Sequence, residues 1–101
     1  MATTTKVLFR GAATTTTSTT LYTVPAATTA VVTNIAATNT SASDVTFTIS
    51  LNGVELQSAT TIPANITAYI DLKQVMNAGD ILAGGASSTS VNLHVSGVEI
   101  S

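Results

Sequence analysis

The stretch VTFTISLNGVELQ, residues 45–57, carries the clearest structural signal in this chain. Apolar and polar residues alternate without a break from Val45 to Leu51, which is the pattern of a strand with one buried face. Asn52-Gly53 follows, and both of these residues tolerate the positive φ angles of a type I′ turn. Because the alternation resumes at Val54, the stretch predicts a β-hairpin.

The same period of two recurs along most of the chain. Residues 66–72 alternate as regularly as the hairpin, and residues 29–38 are apolar on both faces, as a central strand would be. The remaining strand signals are shorter or less regular and cover residues 6–10, 19–24, 81–83 and 90–100. Turn-forming residues separate these segments at spacings of roughly 8 to 12 residues. The pattern predicts an all-β fold: a single antiparallel β-sandwich, jelly-roll-like, with seven or eight strands.

Four segments depart from the simple alternation. The last predicted strand changes phase at Gly97, which predicts a β-bulge there. Residues 72–77 could form one helical turn at most. The Thr-rich residues 14–20 predict a surface loop or extended connector, and the sequence GGASS at residues 84–88 predicts a loop.

The inward phase of the predicted strands defines the expected core. Burial of these apolar side chains is the main favourable term in the folding of a domain of this size. The predicted core residues are Ile35, Val45, Phe47, Ile49, Leu51, Ile66, Ile70, Leu72, Leu93 and Val95.

The composition argues against several classes of function. The chain has 101 residues and a formal net charge of −2, and 8% of its residues are charged. Three Lys and Arg residues cannot neutralise a phosphate backbone, so we predict no nucleic-acid partner. The lack of cysteine excludes disulfides and thiolate metal sites. No apolar run approaches the roughly 18 residues of a membrane helix, and the first residues lack a signal-peptide pattern, so we expect no membrane partner and synthesis in the cytoplasm.

No group of residues matches a catalytic or metal-binding pattern. His94 is the sole histidine, and alternation places it on an outer face without further ligands for a metal. The five carboxylates are scattered, so a glycosidase pair has little support. A Ser-His-Asp set is formally possible, but no serine occurs in a G-x-S-x-G context. We therefore predict no enzyme, no catalytic residue, no cofactor and no metal.

Several strand and turn sequences together carry a resemblance to a known group of proteins. They are LYTVPA at residues 21–26, TAVVTNI at 29–35, VTFTI at 45–49, VMNAGDI at 75–81 and VSGVE at 95–99. Their order resembles small β-sandwich virion proteins of tailed bacteriophages, which include capsid decoration (cement) proteins and related tail and fibre domains. The resemblance covers about residues 21–99, and the Thr-rich stretch before Leu21 departs from it.

The resemblance implies a non-enzymatic structural role. In the main interpretation the chain is a capsid decoration subunit on the virion surface, which stabilises the shell by non-covalent contacts with the major capsid protein. The alternative is a tail or fibre adhesin domain, in which exposed Tyr22 or Tyr69 stacks on a host glycan. The resemblance also implies self-association, with a homotrimer as the expected form.

The composition independently favours a subunit of an assembly. Thr (21), Ala (15) and Ser (10) account for 46 of the 101 residues, so small side chains must form much of the surface. Such side chains lose little rotamer entropy when they pack against a partner. Edge strands are normally protected by Lys, Pro or inward charges, and this chain has three basic residues and two prolines. Poorly protected edges favour a homo-oligomer.

The charges divide the chain unevenly. Lys6 and Arg10 give the first ten residues a charge of +2, whereas residues 11–101 carry one lysine against five acids, or −4. We interpret residues 1–20 as an N-terminal arm, with a first short strand and a Thr-rich connector, and residues 21–101 as the β-sandwich body. A basic arm on an acidic body indicates docking on a partner of complementary charge.

Alternation within residues 6–10 suggests how the arm would dock. Val7 and Phe9 take one face and would anchor the arm, while Lys6, Leu8 and Arg10 would face the shell or an adjacent copy. The alternative is an ordinary first strand whose outer face is basic. The full candidate partner interface is Lys6, Leu8, Arg10, Tyr22 and Tyr69.

Overall fold

The computed structural model describes residues 3–101, and within this range the chain forms eight strands and no helix. Residues 3–101 therefore contain no helix that could cross a membrane. The strands are β1 (Thr3–Ala12), β2 (Thr20–Thr23), β3 (Thr29–Asn39), β4 (Val45–Leu51), β5 (Val54–Ile62), β6 (Thr67–Met76), β7 (Ile81–Ala86) and β8 (Val91–Ile100).

The strands form two four-stranded sheets, ordered β1-β8-β3-β6 and β2-β7-β4-β5. All neighbours within the sheets are antiparallel. Consecutive strands share a sheet in the β4–β5 hairpin, and every other connection crosses between the sheets. The antiparallel β-sandwich is confirmed. Because the pairings are nested, β1 with β8, β2 with β7, β3 with β6 and β4 with β5, we interpret the sandwich as jelly-roll-like.

The β4–β5 hairpin forms as its sequence predicts. Asn52 and Gly53 have φ angles of 49° and 80°, the left-handed values that a type I′ turn needs at both central residues. Residues 29–38 also form the predicted central strand, since β3 lies between β8 and β6.

The interior contains most of the predicted core. Six predicted residues are buried: Ile35, Val45, Phe47, Ile49, Leu93 and Val95. Leu51, Ile70 and Leu72 are half-buried against this cluster. Ile66 is 49% exposed, so its prediction as a core residue is wrong. It belongs to the turn before β6, where its amide donates to the Pro63 carbonyl at 3.3 Å and Asn65 has a φ of 60°.

The predicted bulge at Gly97 is misplaced. Strand β8 pairs continuously through Gly97, and the register shifts fall on its two neighbours, at Leu8 in β1 and at Thr33 in β3. Gly97 faces inward, and a Cβ at this position would lie 2.4 Å from the Val31 carbonyl oxygen and 2.8 Å from Leu8 Cδ1. The lack of a side chain at Gly97 therefore leaves space for Leu8 and the Val31 carbonyl group. The register shifts lie in β1 and β3 and not in β8.

Two further local predictions need correction. Residues 72–76 belong to β6, so the helical turn predicted over 72–77 does not form. Strand β7 continues through Ala86, so the loop predicted over 84–88 begins later than expected. Residues 14–19 do form the predicted loop, and this loop lies over β7. A Cβ on Gly85 would come within 2.4 Å of the Thr16 carbonyl oxygen, which explains a glycine inside a strand.

Candidate interaction surface

Strand β1 does not form a separate arm over the residues that the structure describes. Residues Thr3 to Ala12 pair with β8 along the first sheet. This is the arrangement of an ordinary first strand with basic residues on it. Met1 and Ala2, the start of the predicted arm, lie outside the described residues.

The prediction that Leu8 faces a partner is wrong. Leu8 is buried, and its side chain packs beside Gly97 in the interior. The physical reason is the register shift between Val7 and Phe9, which turns Leu8 and Phe9 toward the same side and leaves Val7 45% exposed. Strict alternation of inward and outward residues cannot predict this register shift, nor the close contact between Leu8 and Gly97 that accompanies it.

Tyr22 is also not available to a ligand. Its side chain is 8% exposed, and its hydroxyl donates a hydrogen bond to Glu99 Oε2. Lys6 Nζ lies 3.2 Å from the same carboxylate oxygen and 5.9 Å from the centre of the Tyr22 ring. We call Lys6, Tyr22 and Glu99 the clasp, because they join β1, β2 and β8 across the two sheets.

The clasp shifts the protonation of two of its members. The hydrogen bond from Tyr22, with the ammonium of Lys6, lowers the pKa of Glu99 despite some desolvation. Burial raises the pKa of Tyr22, and the hydrogen bond and charge of Glu99 raise it further. The clasp therefore favours an ionised Glu99 and a neutral Tyr22. Lys6 thus has a structural partner within its own chain.

The remaining two predicted interface residues lie on one line across the first sheet. In the strand register, Arg10 of β1 faces His94 of β8, His94 faces Ala36 of β3, and Ala36 faces Tyr69 of β6. We call these four residues the outer-face row. Three strand spacings separate Arg10 from Tyr69, or roughly 14 Å between their backbones. His94 is exposed, as predicted, and Tyr69 is 74% exposed.

Small polar side chains flank the outer-face row. On one side Thr38 and Thr67 share a hydrogen bond of 2.9 Å between their hydroxyls. On the other side Asn34 Nδ2 donates to Asp71 Oδ1 at 3.3 Å. An open groove beyond them is lined by Thr33, Asp71, Leu72 and Lys73. The outer face of this sheet therefore carries mostly small polar side chains, with a cation, Arg10, and an aromatic ring, Tyr69, at its opposite edges.

Among residues 3–101, no three His, Cys, Asp or Glu side chains come together as a possible metal site. No family model, curated protein or solved structure matches the chain.

Proposed function

We propose that this chain is a non-enzymatic virion structural protein, a capsid decoration subunit of a tailed bacteriophage. It binds the major capsid protein through the outer-face row and stabilises the shell by non-covalent contacts. The observation that carries the proposal is the alignment of Arg10, His94 and Tyr69 with Ala36 in one row on the outer face of the first sheet.

The chemistry of this row suits a protein–protein contact. Arg and Tyr are the residue types that most often dominate binding energy at interfaces, because they combine large contact area with hydrogen bonding. The small side chains around them lose little conformational freedom when a partner covers them. A low charge also reduces the desolvation cost of covering the face.

The contact differs from the docking arm that the sequence suggested. The ammonium of Lys6 is paired with Glu99 although the side chain is 45% exposed, and Leu8 is buried, so neither offers the unpaired contact that the arm would need. Arg10 is exposed at the far end of the same strand. The sheet face therefore replaces the arm as the docking element in our proposal.

The test uses purified particles of the phage that encodes the chain. The decoration layer is removed, and the purified full chain is added back to the stripped shells. We expect Tyr69→Ala and Arg10→Ala each to weaken rebinding by about tenfold or more. Val54→Ala is the matched control, because Val54 is 70% exposed on the other sheet, and it should rebind like the unaltered chain.

Two results would contradict the proposal. One is unchanged rebinding by a folded chain that carries both substitutions. The other is a virion preparation that lacks the chain altogether.

A tail or fibre adhesin role is the second candidate, and Tyr69 favours it. With Tyr22 buried, glycan stacking would depend on the exposed ring of Tyr69. The two roles differ in copy number, because a cement protein covers the shell and is far more abundant per particle than a fibre domain. Quantitative gel densitometry of purified virions separates them.

A further inference from the structure

The four edge strands of the sandwich differ in how well they resist pairing with another strand. Edge strands are protected when they are short, irregular or charged. β2 is four residues long. β5 is interrupted by Ala59, whose φ is 46°, and by two register shifts against β4. β1 carries two cations, Lys6 and Arg10, on either side of the irregularity at Leu8.

β6 is a long edge strand whose two exposed charges, Asp71 and Lys73, are of opposite sign. It extends over ten residues at the edge of the first sheet. Its pairing with β3 is irregular at one point, where Leu72 and Lys73 lie opposite the single residue Thr33. The alternation of β6 continues through this point, with Tyr69, Asp71 and Lys73 exposed and Ile70 and Leu72 half-buried between them. An edge of this kind presents unpaired backbone donors and acceptors to a partner strand.

We propose that two copies of this chain associate by antiparallel pairing of their β6 strands about a two-fold axis at Leu72. In this register each Asp71 lies opposite Lys73 of the second copy, and each Tyr69 lies opposite Val75 of the second copy. Both pairs occur twice because the axis repeats them. The first sheets of the two copies then form one continuous eight-stranded sheet.

The charges select this register over its neighbours. Moving the axis to Asp71 places two aspartates opposite each other, and moving it to Lys73 does the same with two lysines. Like charges directly opposite in a sheet are destabilising, whereas opposite charges stabilise the pair. The charges of β1, Lys6 and Arg10, are both positive, so that edge offers a second copy no complementary pair of this kind.

The apolar side chains of β6 also fit this partner. Tyr69 and Val75 are 74% and 63% exposed, and an aromatic residue opposite a β-branched one is a favourable cross-strand pair. On the inner side, Ile70 and Leu72 are half-buried in the isolated chain. A second β6 would cover them. These contacts do not depend on the proposed function, because the second copy is the partner.

The test is a charge-reversal series on the full chain, with the mass measured by light scattering from micromolar to millimolar concentration. We expect the unaltered chain to reach twice its mass of 10.2 kDa. Asp71→Lys or Lys73→Asp alone should raise the dissociation constant by about tenfold or more, since each creates two like-charge pairs. The double variant Asp71→Lys/Lys73→Asp should associate again, and so should an equimolar mixture of the two single variants.

Glu55→Lys is the matched control, because Glu55 is an exposed acid on the β5 edge of the other sheet, and it should leave the mass unchanged. Thermal unfolding of each variant verifies that it remains folded. The proposal is overturned if the unaltered chain stays monomeric over the whole range or forms a trimer. It is equally overturned if neither single variant weakens association, or if the double variant and the mixture both fail to restore it.

Discussion

The two long sides of the sandwich are closed in different ways. On the β1–β2 side, Leu8 and Tyr22 are buried, and the clasp ties the two sheets together with Glu99. On the β5–β6 side, Leu56, Ile70 and Leu72 point toward the core but remain half-buried. On the first side, residues of the same chain cover the apolar side chains. On the second side, apolar side chains stay partly exposed next to the unpaired edge of β6, and our inference places a second copy there.

The largest effect is expected in the core that both sides share. Phe47 is 1% exposed, so Phe47→Ala removes a large buried ring and leaves a cavity. We expect a loss of about 3–5 kcal/mol in the free energy of unfolding, measured by urea denaturation. The exposed-site control Val54→Ala should change stability by less than about 0.5 kcal/mol. A loss below about 1 kcal/mol for Phe47→Ala would show that the two sides do not share one tightly packed core.

A matched pair of leucine truncations measures the comparison directly. Leu8 on the closed side is buried, so Leu8→Ala should cost about 2–5 kcal/mol in the free energy of unfolding at any protein concentration. Leu72 on the open side is half-buried, so Leu72→Ala should cost about 1 kcal/mol in dilute solution, from the smaller area lost.

The cost of Leu72→Ala should rise with protein concentration, because association stabilises the folded chain by mass action. Urea unfolding at two well-separated concentrations provides the measurement. Equal costs for the two truncations, or a cost of Leu72→Ala that is independent of concentration, would remove the distinction between the sides.

The smallest effect concerns the pH dependence of the closed side. The lowered pKa of Glu99 means that its contribution to stability is present above the ordinary pKa of 4.5 and is lost as the pH falls through the lower folded value. The raised pKa of Tyr22 means that its contribution is present below pH 10.0 and is lost as the pH rises above this value, where the unfolded chain ionises first.

Tyr22→Phe removes the largest cause of the Glu99 shift and the phenol itself. Urea unfolding across the acid and alkaline ranges should therefore show a flatter dependence on pH at both ends. Tyr69→Phe, which alters an exposed ring, should reproduce the unaltered curve. An unaltered curve for Tyr22→Phe would contradict the role assigned to the clasp.

The strands that can be predicted from the sequence are those whose pattern depends on residues close together in the chain. Residues 45–57 form the predicted hairpin because alternation and Asn52-Gly53 act within a few residues of one another. The outward direction of Tyr69 and His94 follows from alternation in the same way, whereas that of Arg10 also depends on the register shift at Leu8. Their alignment in one row does not follow from alternation, because it depends on the register of four strands that are distant in sequence.

Asn39 has the sequence context of a loop residue but is buried and hydrogen-bonded in the structure. In the sequence it begins a run of polar residues, Asn39-Thr40-Ser41, whose composition is typical of a loop. In the structure it ends β3 and is fully buried, and its Nδ2 donates to the carbonyl oxygens of Ser43 at 2.7 Å and Ile62 at 3.0 Å. Burial of an amide is tolerated when such bonds replace those to water, and here the acceptors come from two separate segments.

The sequence by itself determined the class of fold, the hairpin and most of the core, because a period of two and turn-forming residues are properties of neighbouring residues. The tertiary structure alone decided that Leu8 turns inward, that Tyr22 meets Glu99 and that β6 lies at an edge. Each of these depends on which strands become neighbours and on where a register shift falls. The order of Tyr69, Asp71, Lys73 and Val75 in the sequence is self-complementary. It can act in pairing only because the fold places β6 at an edge of the first sheet, where one side of the strand has no neighbour in its own chain.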